Sequence, residues 1–296
     1  MQIRFLGTSS MVPTKERNQS GVLVSYKNEG ILVDCGEGTQ RQLKIAEIKL
    51  TKITRILISH WHGDHVLGLP GLIQSMSASN YDKTLRIYGP FGTKKFIKKM
   101  FEVFVFDKRI DIEVNEVRKG KFFENQNFIL KAMPLKHNVE TLGYSLIEKD
   151  RRKINLKFTK KMKIPQGPLL GKLQDGKNIV WNDKKINVDK ATYNIKGKKV
   201  TIISDTIPCK GADALAKDSD LLICESTYSS DLEKKGREYN HMTSKQAAEL
   251  ANKSNTKRLV LTHFSARYND DRELEKDAKG SFGSVLCAKD FMKIDL

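Results

Sequence analysis

The sequence of 296 residues predicts an α/β fold in which one domain is interrupted by a basic insertion. Short runs rich in Val, Ile and Leu alternate with stretches whose apolar residues recur at helical spacing. Several of the predicted strands lead to a histidine or an aspartate. The segment 149–199 differs from the rest of the chain, because its 16 Lys and Arg against 4 Asp and Glu give it a net charge of +12.

The first half of the chain contains most of the predicted strands. They lie at 2–7, 21–26, 30–36, 55–60 and 85–89, and near 110–118, 127–135 and 142–148. Helical patterns cover 37–48, the residues after Asp64, and a stretch near 92–103. Asp64 stands where a helix would begin, so the segment SHWHGDH (59–65) is predicted to join a strand to a helix.

The second half resumes the alternation after the insertion. Strands are predicted at 199–205, 220–226 and 258–263, with a short helix after the first, a helix at 244–253, and a last helix and strand. Within the insertion, Pro and Gly residues of KIPQGPLLGKLQDGK (163–177) break any long regular element. The simplest interpretation is one domain formed by 1–148 and 200–296, with 149–199 as an inserted arm.

Composition limits the compartment and the class of partner. The first residues lack the apolar run of a signal peptide, and no apolar stretch is long enough to cross a bilayer, so we expect a cytoplasmic protein with no membrane partner. The four scattered cysteines form no CxxC pair and are expected to be core thiols. A net charge of +18 favours nucleic acid, an anionic membrane or a polyanionic substrate as partner.

Three of the six histidines lie in the segment 59–65, and this density predicts a metal site. His60 and His62 are two apart in an extended stretch and can share a face, whereas Asp64 and His65 open a helix and point elsewhere. One turn can therefore serve two ions.

The other predicted ligands follow strands, where an α/β sheet places its sites. A bridging carboxylate is expected from Asp205, with His137 on one side and His263 on the other. The predicted set is His60, His62, Asp64, His65, His137, Asp205 and His263. Imidazole and carboxylate without thiolate suit zinc, with manganese or iron also possible. Two such ions can activate water and neutralise the attacked group together.

These motifs resemble the metallo-β-lactamase superfamily, and more of the chain is similar to its ribonuclease Z branch. SHWHGDH is the superfamily signature, and GTSSMVPTKERN resembles the opening strand and PxKxRN loop of that branch. LVDCGEGTQ, KHNVETLGYSL, ISDT and THFSARY match further family segments, and IPQGPLLGKLQDGK resembles the Gly-Pro motif of the family's flexible arm. The similarity runs from residue 1 to about 268. It implies an αββα sandwich with a protruding basic arm, and Asp34 as support for the metal loop.

The resemblance also implies an activity. We expect a zinc-dependent endoribonuclease that removes the 3′ trailer from precursor tRNA and leaves a 3′-hydroxyl, with two Zn²⁺ per subunit (Mn²⁺ possible) in a homodimer. The implied catalytic residues are Asp64, Glu225 and His241, of which His241 would act as a general acid or a clamp on the phosphate. The chain departs from the family pattern at Cys224 and Ser226, where His and Ala are usual. That departure puts in question the hydrogen bond of the missing imidazole.

Substrate contacts are implied in three places. Lys15, Arg17 and Asn18 belong to the PxKxRN loop, which would contact the single-stranded 3′ end. Arg267 follows the last ligand and is a candidate phosphate contact. In the arm, the implied tRNA contacts are Gly167, Pro168 and Lys172. A charged arm can hold an RNA stem through its phosphates and shape.

Two other functions stay open. A small-molecule phosphodiesterase or thioesterase of the same fold would share the metals but would not need an arm of net charge +12. A non-catalytic RNA-binding protein with structural zinc is a second alternative. The intact set of seven ligands argues against it.

Overall fold

The computed structural model describes residues 1–105 and 109–296 of the chain. They form two compact units. The first contains 1–123, 130–146 and 199–296, and the second contains 124–129 and 147–198.

The first sheet of the larger unit has seven strands: β1 (Gln2–Gly7), β2 (Gly21–Tyr26), β3 (Glu29–Val33), β4 (Ile53–Leu57), β5 (Leu85–Gly89), β6 (Ile112–Glu116) and β18 (Lys293–Asp295). Their spatial order is β18-β1-β2-β3-β4-β5-β6. Pairing is antiparallel from β18 to β3 and parallel from β3 to β6. Every residue of β4 is buried, as expected of a central parallel strand.

The second sheet also has seven strands: β7 (Gly120–Glu124), β8 (Phe128–Pro134), β9 (Leu142–Glu148), β14 (Lys199–Ile203), β15 (Leu221–Glu225), β16 (Leu259–Thr262) and β17 (Val285–Cys287). Their order is β17-β16-β15-β14-β9-β8-β7. The strands β14 to β17 pair in parallel, so their carboxyl ends lie at one edge.

Helices pack on the outer face of each sheet. A hydrophobic cluster joins the first sheet to α1 (Thr39–Ile45), α2 (Gly63–Val66), α3 (Leu69–Ala78) and α4 (Thr93–Val103). A second cluster joins the other sheet to α8 (Lys210–Ala216), α10 (Ser244–Lys253) and α11 (Arg272–Lys279). The inner faces meet each other, and the hydroxyl of Tyr144 on β9 donates to the carbonyl of Ile58 at 2.7 Å. The predicted αββα arrangement is confirmed.

The remaining elements of the larger unit are short. They are α9 (Glu233–Tyr239) and two 3₁₀ turns at Leu50–Lys52 and Ser230–Leu232. Within the described part of the chain, none of the helices has both the length and the apolar character that a membrane span requires.

The smaller unit has a hydrophobic cluster of its own, in which Leu173 and Ala191 are fully buried. Its elements are β10 (Arg151–Ile154), α5 (Leu156–Lys161), α6 (Pro168–Gln174), β11 (Ile179–Trp181), β12 (Lys184–Ile186), α7 (Val188–Ala191) and β13 (Thr192–Ile195). Two antiparallel pairs, β10 with β13 and β11 with β12, close the unit. Each element is short, in keeping with the Pro and Gly residues between them.

Some predicted boundaries are wrong, and the site explains two of them. The strand expected to reach His60 ends at Leu57, because the N–H of Ser59 donates to the carboxylate of Asp34 at 2.7 Å. The helix expected after Asp64 is divided into α2 and α3 at Gly68, where a Cβ would lie 2.1 Å from the carbonyl oxygen of Gly36. The strand β7, the helix α9 and a second strand after the last helix were not predicted. Of the two strands there, β17 joins the second sheet and β18 the first.

Asp290, close to the C-terminus, joins three distant parts of the larger unit. Its carboxylate accepts hydrogen bonds from the hydroxyl of Thr8 (2.8 Å), the backbone N–H of Asn18 (2.7 Å) and the amide of Gln42 (2.9 Å). Burial raises the pKa of Asp290, although the hydrogen bonds from Asn18 and Thr8 oppose the effect. The carboxylate thus holds the loop before β2 against β1 and α1.

Asp290→Ala should lower the free energy of unfolding by about 2–4 kcal/mol, because three partly buried donors lose their acceptor. Asp295→Ala is the matched control, since that carboxylate is 68% exposed and its loss should cost less than about 0.5 kcal/mol. Chemical denaturation measures both variants. Equal stability of the two variants would contradict the role given to Asp290.

Candidate metal centre

The structure brings the seven predicted ligands together. His60 and His62 lie in the loop after β4, and α2 begins at Gly63 and carries Asp64 and His65. The other three follow strands of the second sheet: His137 comes three residues after β8, Asp205 two after β14 and His263 one after β16. The centre therefore draws ligands from both sheets.

The donor atoms form two groups that share Asp205. One group is His60, His62, His137 and Asp205, and the other is Asp64, His65, His263 and Asp205; within each, the donor atoms lie within 4.8 Å of one another. The Oδ1 atom of Asp205 is 3.5 Å from His65 Nε2 and 3.2 Å from His263 Nε2. Its Oδ2 atom is 3.6 Å from His60 Nε2 and 3.9 Å from His137 Nε2. The two groups can hold two ions joined by one carboxylate.

Four of the imidazoles have an oxygen partner for Nδ1. These pairs are His60 with Ser59 Oγ (2.9 Å), His65 with Asp34 Oδ2 (2.8 Å), His137 with the Asn240 carbonyl (2.9 Å) and His263 with Thr227 Oγ1 (3.0 Å). Each pair favours a proton on Nδ1 and leaves the Nε2 lone pair for the centre. His62 is the exception, because its Nδ1 lies 3.0 Å from His60 Nε2 and faces the centre itself.

Asp34 supports the loop that carries the ligands. It has a left-handed backbone (φ 60°) and accepts hydrogen bonds from the N–H and the hydroxyl of Ser59, at 2.7 and 2.8 Å. The same carboxylate accepts from His65 Nδ1. One acid therefore fixes the path of the loop and the orientation of a ligand.

Burial and charge prepare these side chains for a cation. Burial lowers the pKa of His60 and of His62, which keeps them neutral, as ligands must be. Burial opposes ionisation of Asp64, but His65 and His263 outweigh it and lower the pKa of Asp64.

The surroundings of His65 indicate whether the seven predicted ligands fit a metal ion. Burial opposes its protonation, but Asp205, Asp34 and Asp64 outweigh burial and raise the pKa of His65 well above its usual value. Its Nε2 is buried and has no hydrogen-bond partner in the described part of the chain. The carboxylates that favour a proton on this nitrogen would equally favour a metal cation in its place, so the surroundings of His65 fit a cation site.

Glu225 and His241 form a pair next to the centre. The fully buried carboxylate accepts from the N–H groups of Thr206, Thr227 and Met242, from the Thr227 hydroxyl and from His241 Nδ1 at 3.1 Å. These donors occupy its oxygens, so its grouping with His241 and His263 is better explained by hydrogen bonds than by a third ion. Burial opposes the charge on His241, but Glu225 and Asp205 raise the pKa of His241 to about 9. The two carboxylates therefore favour the charged form of His241, and its Nε2 is not used by Glu225.

The two residues at which the chain departs from the family pattern, Cys224 and Ser226, do not disturb the pair of Glu225 and His241. Side chains alternate along β15, so Cys224 points away from Glu225 into the cluster between the sheet and its helices. Burial raises the pKa of the Cys224 thiol well above its usual value, as expected of a core thiol. Ser226 donates to the carbonyl of Thr262 at 3.1 Å.

The loop residues predicted to bind substrate are only partly free. Lys15 is exposed. Arg17 donates to the carbonyl of Tyr268 at 2.7 Å, and its guanidinium carbon lies 5.1 Å from the centre of the Phe264 ring. Asn18 uses its side-chain amide to donate to the carbonyl of Glu37 at 2.8 Å. Two of the three side chains therefore also stabilise the loop.

The other predicted contacts are solvent-facing. Arg267 is exposed and lies over the ring of Tyr228, which is in turn near His241. Gly167 precedes α6 with a φ of 125°, Pro168 is the first residue of that helix and Lys172 lies within it; all three are exposed.

Several supporting residues were missed in the sequence. Ser59 stands inside SHWHGDH, and its place directly before a ligand was the available signal. Thr227 follows Glu225 by two residues and had no assigned role. The carbonyl of Asn240 carries no sequence signal, because every residue has one.

Comparisons with known proteins agree with the predicted family. A ribonuclease Z from Archaeoglobus fulgidus is 38% identical over 300 residues, covering 100% of this chain and 97% of its own. The structure is similar to human tRNase Z, short form (ELAC1), with a TM-score of 0.74, 29% identity and coverage of 100% and 99%. It also resembles the metallo-β-lactamase fold protein YhfI from Bacillus subtilis, with a TM-score of 0.72, 18% identity and coverage of 99% and 98%. A family model described as Anti-Pycsar protein Apyc1 matches residues 1–193.

Thr227→Val should weaken metal binding about 10–100-fold, because the hydroxyl that orients His263 is lost while the shape of the side chain is kept. Thr227→Ser retains the hydroxyl and is the control. Competition against a coloured chelator measures the affinity. Equal affinity in both variants would show that Thr227 does not orient the ligand.

Proposed function

The chain belongs to the ribonuclease Z family, and on that premise we propose that it is a metal-dependent endoribonuclease that removes the 3′ trailer from precursor tRNA. The observation that carries this proposal is the pair of donor groups that share Asp205, beside a His241 whose Nδ1 lies 3.1 Å from the carboxylate of Glu225. Water adds to phosphorus, the bond from phosphorus to the tRNA O3′ breaks, and the trailer leaves with a 5′-phosphate.

The proposed cofactor is two Zn²⁺ per subunit, with Mn²⁺ as a possible substitute. His60, His62 and His137 would hold one ion, and Asp64, His65 and His263 the other. Asp205 would join them. When bound, the ions supply Lewis acidity and neutralise charge on the attacked phosphate.

Asp64 and His241 would handle the two protons of the reaction. Asp64 faces both His65 and His263, so a second carboxylate oxygen can orient the attacking water and accept its proton. His241 would give a proton to the leaving O3′, or hold the phosphate by its charge, and Glu225 keeps it protonated. The proton taken and the proton given balance.

Substrate recognition would be shared between loop and insertion. Lys15, Arg17, Asn18 and Arg267 would contact the single-stranded 3′ end. The surface of the smaller unit, including Gly167, Pro168 and Lys172, would hold the tRNA by its backbone. The charge of the insertion supports this, since +12 of the +18 net charge lies in 149–199.

The proposed assembly is a cytoplasmic homodimer, on the strength of the family resemblance. The alternative function is hydrolysis of a small phosphodiester by the same centre. It would need the same two donor groups but not the charged insertion. The family model described as Anti-Pycsar protein Apyc1 covers residues 1–193 and so leaves out Asp205, Glu225, His241 and His263.

A 3′-extended tRNA should be cut once at the junction with its trailer, leaving a 3′-hydroxyl on the tRNA. A chelator should abolish the cut, and Zn²⁺ or Mn²⁺ should restore it. Asp64→Ala should lower kcat by about 10²–10⁴-fold, while Asp82→Ala, an exposed aspartate outside the centre, should not. Binding of the tRNA without any metal-dependent cut would favour the non-catalytic alternative.

Removal of the insertion should separate tRNA cleavage from small-substrate hydrolysis. Ile154 and Thr192 face each other in the β10–β13 pair, so Asn-Gly can replace residues 155–191 as a hairpin turn. The truncated protein should hydrolyse a chromogenic phosphodiester as before and lose at least about tenfold in kcat/KM for precursor tRNA. An equal loss on both substrates, in a protein that remains folded, would contradict the role of the insertion.

A further inference from the structure

An aromatic side chain stands inside the metal loop without a role in the chemistry above. Trp61 lies between His60 and His62, and its indole N–H donates to the hydroxyl of Thr93 at 2.9 Å. Thr93 is the first residue of α4, and the ring of Phe96, one turn further, lies 4.9 Å from the ring of Trp61. The aromatic contact therefore leads from the metal loop to a surface helix.

Phe96 and Phe91, which lie five residues apart, are both exposed, and the backbone between them is held in place. Phe96 is 40% exposed and Phe91 is 64% exposed. The segment between them is fixed by Glu116, which accepts from the backbone N–H groups of Gly92 and Lys94, each at 3.0 Å. These side chains stay at the surface although the backbone under them is anchored to β6.

The residues around these rings carry an excess of positive charge, although Lys98 lies 4.0 Å from the exposed Glu102 one turn further along the helix. Residues 91–99 include four lysines and no acidic residue, and all four lysines, Lys94, Lys95, Lys98 and Lys99, are exposed. The guanidinium carbon of Arg118 lies 5.8 Å from the centre of the Phe91 ring. Exposed rings among cations are the features by which proteins bind single-stranded nucleic acid. Charge therefore favours RNA over an apolar partner.

The aromatic and lysine-rich surface that includes Trp61 lies next to one donor group, and the 13–18 loop lies next to the other. The loop is tied to the residue after His263, because Arg17 lies over Phe264. Trp61 instead is flanked by His60 and His62, which belong to the other group. If the 3′ end of the tRNA lies at the 13–18 loop and the RNA chain crosses both donor groups, the next nucleotides of that chain extend toward Trp61.

We propose that Trp61, Phe91 and Phe96, with Arg118, form a stacking platform for the first single-stranded nucleotides of the trailer. We call these four residues the trailer platform. The inference rests on the proposed function, since a trailer exists only on a precursor substrate. In this proposal the bases that follow the cleaved bond stack on aromatic rings. Such stacking accepts any sequence, because every base has a flat aromatic face.

Phe91→Ala with Phe96→Ala should raise KM about tenfold for a precursor tRNA with a trailer of about eight nucleotides, because base–aromatic stacking is lost. KM for a trailer of one nucleotide, and kcat for both, should stay within about twofold, since the metal centre is unchanged. Phe104→Ala is the matched control. Phe104 is 48% exposed and lies eight residues beyond Phe96, about 12 Å further along the helix axis.

Phe96→Tyr and Phe96→Leu separate stacking from apolar packing. Tyr should keep the wild-type KM for the long trailer, and Leu should behave like Ala. An unchanged KM in the double variant, or an equal rise for both trailer lengths, would overturn the platform while leaving the proposed function standing. Failure to cut either precursor in the wild type would instead reject the proposed function. A change of oligomeric state on light scattering, without a trailer-length effect, would assign the patch to contacts between copies and overturn the proposal.

Fluorescence gives a readout independent of cleavage. The chain has two tryptophans, and Trp181→Phe leaves Trp61 as the reporter. A single-stranded RNA of about eight nucleotides should quench this emission, with a dissociation constant about tenfold weaker in the Phe91→Ala, Phe96→Ala background. Absence of quenching, or quenching with equal affinity in both backgrounds, would overturn the proposal even if precursor tRNA is cut.

Discussion

The centre depends on one buried carboxylate. Asp205 is 3% exposed and has five imidazoles within 4 Å: His60, His65, His137, His241 and His263. An isolated charge in this position would cost several kcal/mol, so the acid is tolerable only when the surrounding groups carry a compensating positive charge. Asp205 comes from the second sheet, whereas His60 and His65 come from the first. The donors therefore lie together only where the two sheets are packed against each other.

A ring of polar partners decides which nitrogen each imidazole offers. Ser59 lies between His60 and Asp34, and Thr227 lies between His263 and Glu225, so each hydroxyl accepts from a histidine and donates to an acid. His263 adopts a left-handed backbone, with φ of 63°, at a cost of about 1–3 kcal/mol for such a conformation. The hydroxyl of Thr227 and the pairing of β16 hold it there. The donors are thus oriented by the protein alone, before an ion binds.

The sequence predicted the ligands better than their surroundings. Strands are periodic in apolar residues, and parallel strands end at one edge, so His263 and Asp205 could be expected to meet from their positions alone. Ser59 and Asp290 act through hydrogen bonds to distant parts of the chain, and no periodicity marks such contacts. The same limit applies to strand ends, because β4 stops where the site takes its backbone donors. Cys224 could be interpreted only once the face of β15 was known.

Chemistry and substrate choice depend on different parts of this chain. The ligands that precede the insertion lie in the 60–65 loop and at His137, and such ligands can hold an ion without defining a substrate. The residues after the insertion add the shared acid Asp205 and the His241–Glu225 pair, which suit a substrate whose charge grows during attack. Two-thirds of the net charge lies in 149–199, and its attraction for a polyanion falls with added salt as counterions compete for the phosphates. A hydrolase for a small substrate needs the metal centre but gains little from the charge of the insertion, because a small substrate carries few phosphates. The value of the insertion therefore increases with the length of the substrate, and this favours a long polyanion such as RNA as the molecule that the centre cuts.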